Sequence, residues 1–247
     1  MEQSILGRFG MKLPKMILFD YGQTLGNEKF NGLRGTEAVL DYAIENKFNR
    51  TAADVQAAAD EINRELGRFD PIKRHSLQVE MPNYMFTNYL YESQGFKLSI
   101  SGAEIDRVFW NASSPAVPTE GIEDFLEFLH SKGIRTGVIS NITYDGRVVE
   151  ERINTLLPDN HFEFIMATSD YFFRKPNKRI FELALQRTGL EPEEVWYIGD
   201  QYGADVMGAR SAGITPVWYI GAIDLLYEEK DDVLTVKSWA ELRECLE

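Results

Sequence analysis

Five short runs of the chain are almost wholly apolar: Met16–Asp20, Arg135–Asn141, Phe162–Thr168, Val195–Asp200 and Thr215–Ile220. A strand with one wet face alternates apolar and polar residues, whereas one buried on both faces is apolar throughout. These runs are of the second kind. Helical periodicity separates them. Ile122, Phe125, Leu126 and Leu129 follow i, i+3, i+4, i+7 spacing, with Thr119 as the predicted cap and Gly133 as the stop. A second helix is predicted from Asn177 to Thr188, with Ile180, Phe181 and Ala184 inward and Gly189 ending it; a third runs from near Gly203 to Gly213. Strands alternating with helices predict an α/β fold: a Rossmann-like parallel sheet with right-handed crossovers and helices on both faces.

One interval breaks the alternation. Residues 29–115 carry helix patterns and little strand signal. "TAADVQAAADEINREL" places Thr51 and Asp54 as a capping box, "MPNYMFTNYLYESQG" is aromatic-rich at helical spacing, and "SGAEIDRVFWNA" predicts a third helix. The simplest organisation is a core of residues 1–28 and 116–247, with a helical subdomain of residues 29–115 inserted after the first strand and linkers near 26–30 and 112–118. Met11 stands just before the first strand, so residues 1–10 are read as an extension outside the fold.

Composition narrows the partners. With 26 Lys and Arg against 39 Asp and Glu, the net charge is −13, which repels phosphate backbones and disfavours nucleic acid. An anionic small substrate then needs local positive charge. The lone cysteine, Cys245, excludes an internal disulfide and fits a reducing compartment, and no apolar stretch is long enough to span a membrane. The chain is therefore read as cytoplasmic. Oligomeric state is not legible.

Ligands of open parallel sheets bind beyond the carboxyl ends of the strands. Three of the predicted strands end in polar groups: Asp20, Ser140 with Asn141, and Asp200. Neighbouring strands lie about 4.8 Å apart, so these groups converge if their strands are adjacent. Lys175 in "FFRKPNK" and Asp205 in "GDQYGAD" join them. Singly, each reads as a turn former, cap or surface residue; it is the shared sheet edge that makes them a candidate site.

In order and spacing these residues resemble the haloacid dehalogenase superfamily, most of whose members are phosphatases. Its first motif, an apolar strand ending D-x-D-x-T, is matched by "DYGQTL" at Asp20 and Thr24; its second by Ser140 in "GVISN"; its third by Lys175 in "RKPN"; its fourth by Gly199–Asp200 with Asp205. The similarity runs from about residue 14 to 220, and residues 29–115 resemble the family's helical cap. The resemblance implies a phosphatase using Mg²⁺ and acting on a small phosphorylated metabolite. Asp20 would be the nucleophile, with Lys175 neutralising it. Ser140, Asn141 and Thr24 would bind substrate, and Asp20, the backbone carbonyl of Gly22, Asp200 and Asp205 would bind the metal.

The departure is Gly22, which stands where the family's phosphatases carry a second Asp as general acid. Gln23, Tyr21 and a residue of the insertion are the candidate replacements, although an amide is no Brønsted acid near neutral pH. Two other readings stay open: a metal-independent 2-haloacid dehalogenase, whose halide needs no proton, and a non-catalytic binding or regulatory protein. In the insertion, Arg68, Lys73, Arg74 and His75 can place positive charge over the site, though each reads first as solvated surface, and Tyr84, Phe86, Tyr89 and Tyr91 are expected in the core. His75, His130 and His161 lack metal-ligand spacing.

Overall fold

The structure, a computed structural model, describes residues 11–68, 78–222 and 230–247. The elements in chain order are β1 (Met16–Phe19), β2 (Gly26–Glu28), α1 (Gly32–Leu40), β3 (Ala43–Asn46), α2 (Ala52–Glu65), α3 (Asn83–Ser93), β4 (Phe96–Leu98), α4 (Ala103–Ser113) and β5 (Ala116–Pro118). Then follow α5 (Ile122–Ser131), β6 (Arg135–Ser140), α6 (Gly146–Leu156), β7 (Ile165–Ala167), α7 (Lys178–Thr188), β8 (Val195–Gly199), α8 (Met207–Ser211), β9 (Thr215–Tyr219), β10 (Leu234–Val236) and α9 (Trp239–Leu246).

Six strands form one parallel sheet in the order β10-β9-β8-β1-β6-β7. All five predicted strands lie in it; β10 and α9 were not predicted. The chain fills one side of β1 with β6 and β7, then crosses to fill the other with β8, β9 and β10. The order therefore reverses at β1, which is where such sheets open a crevice.

Side-chain alternation explains the continuous apolar runs. Ile17 and Phe19 of β1 join Val138, Trp196 and Ile198 in a core on one face. Met16 and Leu18 join Ile139, Val195 and Tyr197 in a second core on the other, with Ile180, Phe181 and Ala184 of α7 packed over them. Each strand feeds both cores, so neither set of positions is polar. The predicted inward face of α7 is observed.

The helix after Thr119 is capped differently from the prediction. Its N-cap is Gly121 in the left-handed region at φ 81°. Thr119 instead donates its hydroxyl to the carbonyl of Thr24 at 2.7 Å and accepts from Trp239 Nε1 at 3.0 Å. It fastens the β1–β2 loop to the C-terminal helix. The capping box of α2 is present as predicted, with Thr51 Oγ1 accepting from the Asp54 amide and Asp54 Oδ2 accepting from the Thr51 amide.

Residues 32–113 build α1 to α4 around a separate apolar core of Val39, Val55, Leu90, Tyr91, Phe96 and Ile105. They also contain strand where little was expected, because β3 and β4 pair antiparallel. The connecting stretches are not free linkers either: β2 and β5 pair antiparallel into a two-stranded ribbon. Arg152 of α6 locks this ribbon, donating to Glu28 Oε1 at 3.0 Å, to the Tyr21 hydroxyl at 2.9 Å, to Asn111 Oδ1 at 3.1 Å and to the carbonyl of Ser114, with its guanidinium 4.2 Å from the Trp110 ring. Tyr91 is core as expected, but Tyr84 and Tyr89 are exposed. No described helix is long and apolar enough to cross a membrane. The predicted extension at residues 1–10 lies outside the described residues.

Candidate active site

Asp20 follows β1 directly and its amide donates to the carbonyl of Ile198 at 2.8 Å, so the backbone of the neighbouring β8 holds it at the sheet edge. Ser140 ends β6 on the other side and is buried. Asp200 follows β8, and its carbonyl accepts from Trp218 Nε1 at 2.8 Å. After Asp200 the chain makes a single wide π-type turn, Tyr202–Val206. That turn brings Asp205 back over the strand end, where its amide donates to the carbonyl of Gln201 at 2.7 Å and its Oδ2 accepts the Gln201 amide at 2.8 Å. Gly199 is required by this return, because a Cβ there would stand 2.4 Å from the Asp205 carboxyl. The "GD…D" spacing is thus a packing requirement.

Lys175 closes the centre. Its Nζ donates to Asp20 Oδ1 at 2.7 Å, to Asp205 Oδ1 at 2.7 Å and to the Tyr197 hydroxyl at 2.6 Å, and that hydroxyl donates on to the carbonyl of Ile139 at 2.8 Å. All three ammonium protons are used. The backbone of Lys175 is held by Asn141, whose Oδ1 accepts the Lys175 amide and whose Nδ2 donates to its carbonyl, both at 2.8 Å. The side-chain amide of Asn141 therefore serves to position Lys175. Thr24 is fully buried, and its hydroxyl meets no hydrogen-bond partner among the described residues.

Electrostatics follow from burial. Burial alone would depress the Lys175 pKa, but the Asp20 and Asp205 carboxylates outweigh it and raise the pKa above the ordinary lysine value. Burial pushes Asp205 up to about 6, with Lys175 opposing and Asp20 adding to the rise. Burial, then the charges of Asp20 and Asp205, push Asp200 well above the carboxylate range. The Tyr197 hydroxyl is driven upward by burial and the same carboxylates, so it remains protonated.

The oxygens of Asp20, Asp200 and Asp205 lie within 4.8 Å of one another. Three carboxylates face one ammonium, and Asp200 Oδ1 is buried without a hydrogen-bond partner among the described residues. An excess of buried negative charge and an orphaned acceptor are the donor set a hard divalent cation takes. The residues fit Mg²⁺. Asp205 already engages both oxygens, with Lys175 and with the Gln201 amide, so it contributes through remaining lone pairs or through the field it sets.

At the position of the expected acid, Gly22 has open space: among the described residues, none beyond its chain neighbours lies within 4 Å of where its Cβ would be. Neither adjacent candidate is free to replace it. The Tyr21 hydroxyl donates to Glu28 Oε1 at 2.7 Å and is driven far above its usual pKa by burial and by Glu28, while Gln23 Nε2 donates to the carbonyl of Glu28 at 3.1 Å. Of the basic residues in the insertion, Arg68 lines a cleft of about 280 Å³ shared with Asn141 and Arg174; Lys73, Arg74 and His75 lie outside the described residues. Tyr197 was missed in the sequence, since a tyrosine in a doubly buried strand reads as core. Its one signal was a polar hydroxyl three residues before Asp200.

Comparison with known proteins identifies the family and the fold. The family model of haloacid dehalogenase-like hydrolases matches residues 81–219. The glyceraldehyde 3-phosphate phosphatase of Methanothermobacter thermautotrophicus is 33% identical over 127 residues, which cover 48% of this chain and 54% of that protein. The chain thus spans about half the length of the curated relatives it matches. Among solved structures, a 2-haloacid dehalogenase from Pseudomonas syringae superposes with a TM-score of 0.63 at 21% identity, covering 95% of this chain and 98% of that one. The magnesium-bound HAD-hydrolase YfnB from Bacillus subtilis superposes with a TM-score of 0.57 at 20% identity, covering 95% and 99%. At these identities the structures establish the fold.

Proposed function

The chain belongs to the haloacid dehalogenase-like hydrolase family, and we propose that it is a Mg²⁺-dependent phosphatase of a small phosphorylated metabolite, working through an aspartyl-phosphate at Asp20. The observation that carries this reading is the buried centre in which Lys175 bridges Asp20 and Asp205 beside the unpartnered oxygen of Asp200. A metal-free halide displacement gives no reason to gather three acids, two of them buried, at one sheet edge.

Asp20 and its substrate are both anionic, so attack needs cations at the point of contact. Lys175 occupies Asp20 Oδ1, which leaves the second oxygen to attack phosphorus as the bond to the leaving oxygen breaks. Water then cleaves the acyl-phosphate, releasing inorganic phosphate and restoring the carboxylate. Ser140, at the end of β6, would hold a phosphoryl oxygen. Asp20, Asp200, Asp205 and the Gly22 carbonyl would hold Mg²⁺, which when bound neutralises charge on the transferring group. With Gly22 bare and Tyr21 and Gln23 both engaged, the leaving oxygen takes its proton from solvent. This favours acyl and aryl phosphates over alkyl ones. Residues 29–115 act as the cap: Gln78, Glu80 and Asn83 hydrogen-bond through their backbones to Arg174, Phe172 and Thr143 beside the site.

The test is p-nitrophenyl phosphate turnover that requires Mg²⁺ and is abolished by Asp20→Asn. Metal-independent chloride release from 2-chloropropionate would instead establish the dehalogenase reading, which the missing carboxyl at Gly22 keeps in play.

A further inference from the structure

The cleft between the inserted helices and the sheet edge adjoins the centre just described through two residues of its lining. Asn141 lines it while holding the Lys175 backbone, and Arg174 lines it one residue before Lys175. Two arginines stand in its wall, and they are partnered differently. Arg174 pairs with the buried Glu80 at 3.3 Å, whose other oxygen accepts the Thr168 hydroxyl at 2.8 Å. Arg68 meets no carboxylate at ion-pair distance among the described residues. Its Nη1 donates to Asn63 Oδ1 at 3.3 Å, a long hydrogen bond, and its guanidinium lies 5.2 Å from the Phe86 ring.

A guanidinium stays charged in proteins, so one that is partly withdrawn from water into a cleft without an anion is incompletely compensated. Burial does push the Arg68 pKa down, and the distant Glu80 charge only partly opposes this. The planar fork matches a carboxylate in two parallel hydrogen bonds. The cleft, at about 280 Å³, falls just below the range of about 300–1,000 Å³ typical of sites for drug-sized ligands. Phe86, Leu90 and Phe109 supply apolar wall between the polar groups. The occupant is therefore compact, with a short carbon body.

Building on the phosphatase reading, we propose that Arg68 is a specificity-determining residue that binds a second, carboxylate group on a small phosphomonoester whose phosphoryl group sits at Asp20. The substrate class is a short phosphorylated acid. A neutral phosphomonoester leaves Arg68 unmet, and a nucleotide exceeds the space.

The experiment uses probes that cannot turn over. Binding of ω-phosphonocarboxylates with two to five carbons is measured by calorimetry on the Mg²⁺-loaded full chain, each against the alkylphosphonate of matching length. A guanidinium–carboxylate pair should make at least one acid bind about tenfold or more tighter than its alkyl counterpart. Arg68→Ala should bring that ratio to about one, and Arg68→Lys, which keeps charge but loses the fork, should leave it between the two. The ratio is internal to each folded variant, and the wild-type series stands even if a variant does not fold. If no acid binds better than its alkyl partner, or if Arg68→Ala keeps the preference, the proposal falls. If the preference holds and depends on Arg68 while no phosphomonoester is hydrolysed, the phosphatase reading falls and the carboxylate site stands.

Discussion

Lys175 Nζ stands 2.7 Å from Asp20 Oδ1, a contact closed across 155 residues of chain with both groups buried. Removing one partner of a buried pair leaves a charge that has lost its compensation, which costs about 3–5 kcal/mol. Lys175→Met should therefore destabilise the metal-free protein strongly, because three acids then face one another without an ammonium. Mg²⁺ should recover part of that loss, raising the melting temperature of the variant more than that of the wild type. Thermal unfolding with and without chelator measures this. An equal Mg²⁺ effect on both proteins would mean that the cation does not share the carboxylates with Lys175.

A second prediction concerns pH. Asp205 is raised from 3.8 to about 6 by burial, against the pull of Lys175, and Asp200 is raised in the same direction. The folded metal-free protein thus binds more protons than the unfolded chain over this window. Stability contributed by Asp205 is highest below its unfolded value, falls as pH rises through about 6, and is level above, while the raised Asp200 acts in the same direction. Cation binding needs the ionised forms and so competes with those protons. The rise in melting temperature caused by Mg²⁺ should be small near about pH 5 and grow as pH rises through about 6. Asp205→Asn should flatten that dependence; an unchanged profile in the variant would place the proton elsewhere.

The third prediction tests the ribbon between the sheet and the inserted helices. Arg152 is the shared donor of Glu28, Tyr21, Asn111 and the Ser114 carbonyl. Arg152→Leu leaves Glu28 half-buried with donors only from Tyr21 and Ser114, at a cost of about 3 kcal/mol or more. Limited proteolysis should then cut near residues 26–30 and 112–118 faster than in the wild type. Glu28→Gln in the same chain should restore part of the protection, since it removes the stranded charge. Loss of protection spread evenly over the protein would point to global unfolding instead.

How far these residues were legible varies with what fixes them. The β-strands were readable because burial on both faces demands apolar residues at every position, as Ile17 and Leu18 illustrate on opposite cores. The strand-end acids were readable because turns and charges interrupt those runs. Tyr197 was not, because its hydroxyl matters only once α7 sets Lys175 above β8, which is tertiary information. Thr119 misled because a threonine before an apolar period has the same appearance whether it caps its own helix or bonds the Thr24 carbonyl 95 residues away. Asn141 was readable as a strand-end polar residue, but the bonds by which its side chain braces the Lys175 backbone, 34 residues away, were not.

Gly22 gives the sharpest test of mechanism. Among the described residues, none beyond its chain neighbours lies within 4 Å of its absent Cβ, and its backbone is not among the positive-φ glycines, so a Cβ is accepted there without a clash or backbone strain. A positioned general acid contributes about 10²–10⁴ in rate when the leaving oxygen must be protonated. It contributes little when the leaving group departs readily as an anion. Gly22→Asp should therefore raise kcat/KM for an alkyl phosphate by about a hundredfold or more, while p-nitrophenyl phosphate changes by a small factor. Gly22→Asn fills the same space without an ionisable proton and should give no such gain, which separates acid catalysis from simple packing. The alkyl rate of the aspartate variant should also fall with rising pH as the introduced carboxyl ionises, a limb absent from the wild type. Equal gains on both phosphates, or equal gains from Asn and Asp, would show that proton delivery is not what the wild-type site lacks.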